Sequence, residues 1–157
     1  MNRRGVAAIA IAVVGIAGCG SSSSSSSTSS GLSPAAYRSE INKICADENA
    51  KITALPASTS NSVSGLEKEL AINESTLSQV KGIAAPSSLS AAANSWLSTV
   101  EQEFSIGTTL INDLKAGKTG AVQSQVRKAT PLITKGNDAA KSLGLASCAI
   151  DGQPSGH

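Results

Sequence analysis

The sequence predicts an all-α protein, a four-helix up-down-up-down bundle that follows a leader and a disordered serine-rich tether. Three observations carry this. Apolar residues recur at three- and four-residue spacing through four segments after Gly31, turn signals separate the segments, and none alternates with a period of two. Composition agrees, because Ala, Ser, Leu and Ile dominate while Tyr37, Trp96 and Phe104 are the only aromatic residues.

The first helix opens at Ser33-Pro34, a capping hydroxyl followed by proline at the first helical position. Tyr37, Ile41, Ile44, Cys45, Ile52 and Leu55 then mark one face, and Asp47 and Lys51 form a favourable i,i+4 pair on the outside. "PASTSNS" (56–62) breaks the segment. Val63, Leu66, Leu70, Leu77, Val80 and Ala84 form the second stripe, which ends at Ala85-Pro86.

Ser87 or Ser88 is placed to cap the third helix. Its stripe is Leu89, Ala93, Trp96, Val100, Phe104, Gly107, Ile111 and Leu114, and "AGKTG" (116–120) ends it. Thr119 then caps a fourth segment with Val122, Val126, Ala129, Ile133, Ala140 and Leu143 inward. Pro131 should kink this helix near Ala129, and Gly144 should terminate it. Short connections favour antiparallel neighbours. A coiled coil is the weaker reading, since the stripes run only about three heptads and lack regular flanking charge pairs.

The formal net charge is +2, but Arg3 and Arg4 lie in the leader, and without them 11 basic residues balance 11 acidic ones. A neutral domain offers no electrostatic case for nucleic acid. Three aromatics are too few for a base-stacking platform.

The chain begins Met-Asn-Arg-Arg, followed by an apolar run from Gly5 to Ala17. That run falls short of the roughly 20 residues a spanning helix needs, and it reads as a secretory signal core. Arg3-Arg4 also suggest twin-arginine export, but the residues around them fit that pattern poorly. At its end, Ile16-Ala17-Gly18-Cys19 resembles the bacterial lipobox, an aliphatic residue, a small residue, Gly or Ala, then Cys. The resemblance implies recognition of Ile16, Ala17 and Gly18 by the lipoprotein signal peptidase. It also implies a diacylglyceryl thioether on Cys19, which becomes the mature N-terminus. Acylated Cys19 would then hold the protein in the cell membrane, on its extracytoplasmic face.

Residues 1–18 are thus read as the signal peptide, 19–32 as the acylated Cys and tether, 33–148 as the bundle and 149–157 as a disordered tail. The serine tract from Ser21 to Ser30, broken only by Thr28, has nothing to bury. It reads as a plain spacer of roughly 20 Å or as a glycosylated stalk.

Assigning Cys19 to lipid leaves Cys45 and Cys148. In an exported domain such a pair forms a disulfide. The tail after the fourth helix must fold back along the first to close it. A redox-active pair would want Cys-x-x-Cys, which is absent, and a metal site lacks partners because the only histidine is His157.

No catalytic residues are assigned and no cofactor is implied: no positioned histidine, phosphate-binding glycine loop or Gly-x-Ser-x-Gly is present. Glu48 and Asn73 are the polar exceptions within the first two stripes. At about 1.5 Å per residue both lie about 17–21 Å from the base of the bundle, with Gln125 within about a turn. They read as a buried structural pair or as the polar anchor of a ligand cavity, for which Gly107 and Gly136 would leave room.

The lipobox, the serine tether, "YRSEINKIC", "APSSL" and "LGLASC" together resemble small uncharacterised lipoproteins of high-GC Gram-positive bacteria, a group that implies no activity. The expected function is a non-enzymatic binding or scaffolding module at the cell envelope, with an envelope protein or small ligand as partner. The alternative is a small-molecule or lipid-binding module with its ligand in the bundle core.

Overall fold

The computed structural model describes residues 31–58 and 62–149. The signal peptide, Cys19, the serine tract and the tail beyond Ala149 lie outside the described residues. Four helices make up the domain: α1 (Pro34–Thr53), α2 (Val63–Lys81), α3 (Ser87–Lys115) and α4 (Thr119–Leu143), followed by a 3-10 turn at Ala146–Cys148. Sequential helices pack on one another, most extensively α3 on α4, and the 3-10 turn packs on both α1 and α4. The fold is a four-helix bundle, and no strand occurs among the described residues.

Local chemistry explains most boundaries. Ser33 caps α1, its hydroxyl accepting from the Ala36 amide at 3.2 Å, with Pro34 supplying the preset φ of the first turn. Ser62 caps α2 in the same way, accepting from Gly65 at 3.0 Å. α3 and α4 end alike. At the end of α4, Gly144 adopts φ +77°, the Leu145 amide reaches back to the Ala140 carbonyl at 2.9 Å and the Gly144 amide to Lys141 at 3.0 Å. Gly117, at φ +67°, does the same after α3, with Lys118 bonding Asp113 and Gly117 bonding Leu114. These paired bonds satisfy carbonyls that a helix end otherwise leaves bare, and they require a residue that tolerates positive φ.

Several expected details differ. α2 stops at Lys81 rather than reaching Ala84, because the chain turns at Gly82 and must extend before Pro86. Neither Ser87 nor Ser88 caps α3: Pro86 holds the cap position, and Ser87 is already helical. Lys118, not Thr119, precedes α4, and no side chain caps it. Pro131 lies inside α4, as the sequence suggests, on its exposed side.

The largest correction concerns α4. Val126 and Ile133, expected inside, are 49% and 42% exposed. The buried line of this helix ends in Gly136, Ala140 and Leu143. Followed back in steps of three and four, it passes through the half-buried Leu132, Ala129, Gln125 and Val122. Val126 and Ile133 sit beside that line, so they keep about half their surface in water.

Buried apolar residues concentrate where α1 and α3 begin and α2 and α4 end. Tyr37, Ile41, Cys45, Val80, Ala93, Trp96, Ala140, Leu143 and Leu145 form one cluster there. Ile111 is the other buried hydrophobic among the described residues.

Candidate functional site

Two polar constellations are built into the bundle. The first is a clasp on α1. Arg38, Asn42, Cys45 and Asn49 recur at spacings of four, three and four, so they share one face. The Arg38 guanidinium donates from Nε to the Leu143 carbonyl at 2.7 Å, satisfying the negative end of α4. Asn42 donates to the Gly144 carbonyl and accepts from the Ser147 amide, both at 2.9 Å, while Asn49 donates to the Ser147 carbonyl at 2.9 Å. Between them Cys45 and Cys148 form a disulfide with Cα atoms 5.1 Å apart. The tail leading to Cys148 is thus held through its backbone by α1 side chains that flank Cys45. Leu145, fully buried, packs into the apolar cluster below it.

The second constellation lies farther up the bundle. With the Asn73 amide oriented so that its nitrogen faces acceptors, it donates to Glu48 Oε1 at 2.8 Å and to the Glu69 carbonyl at 3.3 Å. Glu48 and Asn73 are brought together; Gln125 is half-buried and is not among their hydrogen-bond partners. Burial pushes the Glu48 carboxyl up to about 7, and Lys51, one turn along α1, pulls it the other way.

Glu103 of α3 is a second such carboxyl, raised to about 7 by burial alone. Its Oε1 is buried without a hydrogen-bond partner among the described residues. A β-carbon built on Gly136 of α4 would stand 2.5 Å from that oxygen. The space left by Gly136 is therefore filled by the Glu103 carboxyl, where the sequence suggested room for a ligand. At Gly107 a β-carbon would meet only Leu70 Cδ1, at an ordinary 3.8 Å. Glu103 continues the line of the buried Trp96 and Thr99 along α3.

Two shallow depressions of about 230 and 250 Å³ lie on α2 and between α2 and α3. Glu74 lines both, the second also carries Leu70, Ile111 and the Lys115–Glu67 ion pair, and neither is lined by Glu48, Asn73 or Glu103. Among the described residues no group of three metal-ligating side chains occurs, and no helix is long and apolar enough to cross a membrane. No family of known proteins, curated protein or solved structure matches the chain.

Proposed function

We propose that the protein is a lipoprotein, anchored through acylated Cys19 to the extracytoplasmic face of the cell membrane, whose helical domain is a non-enzymatic binding or scaffolding module of the envelope. The observation that carries this reading is Ile16-Ala17-Gly18-Cys19 at the end of a short apolar run behind two arginines. The Cys45–Cys148 disulfide supports it, since such links persist in oxidising compartments. It also accounts for the cysteines: one thiol for lipid, two for each other. Two or more acyl chains give stable anchoring where one gives only marginal binding.

Glu48 and Asn73 fit a register-setting pair better than a ligand anchor, because Asn73 donates to Glu48 Oε1 and neither residue lines the two depressions described above. Labelling cells with a radioactive fatty acid tests the anchor. Label should enter the intact protein and be lost in Cys19→Ser, and an inhibitor of the lipoprotein signal peptidase should accumulate the longer precursor. An unlabelled protein starting upstream of Cys19 would remove the reading.

A further inference from the structure

The neutral overall charge conceals an uneven distribution. From Lys115 to Lys141 the chain carries six basic residues and one acid, Asp138. Across α2 and α3 the balance reverses, with Glu67, Glu69, Glu74, Glu101, Glu103 and Asp113 against Lys68, Lys81 and Lys115. On α4 the basic side chains Arg127, Lys128 and Lys135 are all exposed. None of the three has an ion-pair partner among the described residues, whereas Lys81 and Lys115 are paired with Glu101 and Glu67.

Helical geometry separates these cations from the exposed hydrophobics, Lys128 and Lys135 standing about 160° round α4 from Val126 and Ile133. At 3.6 residues per turn, with Gly136, Ala140 and Leu143 facing the core, Val126 and Ile133 fall on one rim of the open side of α4. Lys128 and Lys135 fall on the other rim, and Arg127 lies between. The flank of α4 that carries Arg127, Lys128 and Lys135, with Asp138 the one acid among them, suits a surface of anionic headgroups.

We infer that the outer face of α4 docks on the anionic lipid surface of the membrane that holds the protein. This rests on the anchor reading above, which also selects the bilayer over an acidic protein as the occupant. Cys19 is only 14 residues before Ser33, a reach of at most about 50 Å. Ser33 opens α1 at the end of the bundle where α4 finishes, since Arg38 bonds Leu143 there. Along α4, Lys135 lies about 12 Å and Arg127 about 24 Å from that end. The basic face is therefore confined within reach of headgroups, where each cation raises the docked population about fivefold.

The test uses the mature acylated chain reconstituted on vesicles of phosphatidylcholine alone or with phosphatidylglycerol. An amine-acylating reagent reports exposed lysines by mass spectrometry. Lys128 and Lys135 should be modified about threefold less on the anionic vesicles, with Lys43 and Lys68 unchanged. High salt, or Arg127→Glu, should abolish the difference. Equal modification on both vesicles, with the chain still co-floating, overturns the docking and leaves the anchor. Failure to float on phosphatidylcholine removes the anchor and the docking with it. Protection in native envelopes but not on anionic vesicles assigns the face to another partner and overturns the proposal.

Discussion

The base and the upper half of the bundle are stabilised by different means. At the base, nine buried residues from all four helices and the returning tail share one apolar cluster, sealed by a disulfide and the Arg38, Asn42 and Asn49 clasp. Farther up, the interior includes the buried hydroxyl of Thr99 and the carboxyls of Glu48 and Glu103, while Val126 stays half in water. Long helices can therefore be organised from one end. Apolar burial concentrated at the base fixes their register, and the rest of each helix is left to meet other demands.

Breaking the base should cost most. Replacing both Cys45 and Cys148 with Ser releases a loop spanning a sequence separation of 103 and should remove about 4–5 kcal/mol of stability. Denaturant unfolding in oxidising buffer checks this, and no change would mean that the clasp suffices without its covalent link. Leu145→Ala, at a fully buried position, should lose about 2–4 kcal/mol. Val126→Ala and Ile133→Ala, on the half-exposed side of α4, should each lose less than about 1 kcal/mol. Comparable losses at all three would erase the distinction between the base and that side.

Gly144→Ala comes next. It meets both the positive φ and the Arg38 side chain, 3.0 Å from the new methyl, and should lose about 1–2 kcal/mol.

Finer effects belong to the buried carboxyls. Glu48 and Glu103 both bind protons more tightly folded than unfolded, with folded values of about 7 against an ordinary 4.5. Their contribution is therefore full below pH 4.5 and declines as pH rises through 7. Both side chains are half-buried rather than fully enclosed, which limits each to about 1 kcal/mol. Glu103→Gln should raise the melting temperature at pH 8 relative to wild type, with little change at pH 5. An identical pH profile in the variant would show that Glu103 finds a partner when ionised.

The sequence made the fold legible because helix signals are local. Ser33-Pro34, the glycines after α3 and α4, and the spacing from Tyr37 to Cys45 each act within a turn or two. The tail's return to Cys45 was also legible, through the economy of pairing two remaining cysteines. What escaped was the choice between neighbouring lines on one helix. Val126 and Ile133 follow helical spacing as well as Gln125 and Leu132 do, and only the position of α3 decides which line is buried. Glu103 escaped for a related reason: a glutamate in an apolar stripe looks misplaced until Gly136 on another helix supplies the space. The clasp residues were hidden as ordinary polar surface, because their partners are backbone atoms about 100 residues away.

The disulfide also sets how the domain answers force. Were tension applied between its tether and its C-terminus, the pull would enter at Ser33 and pass directly from Cys45 to Cys148. Only the first three turns of α1 and the short tail lie outside that covalent shortcut. Extension would stop after about 40 Å of chain between Ser33 and Cys45. α2, α3 and α4 would stay folded inside a ring that the strain never enters.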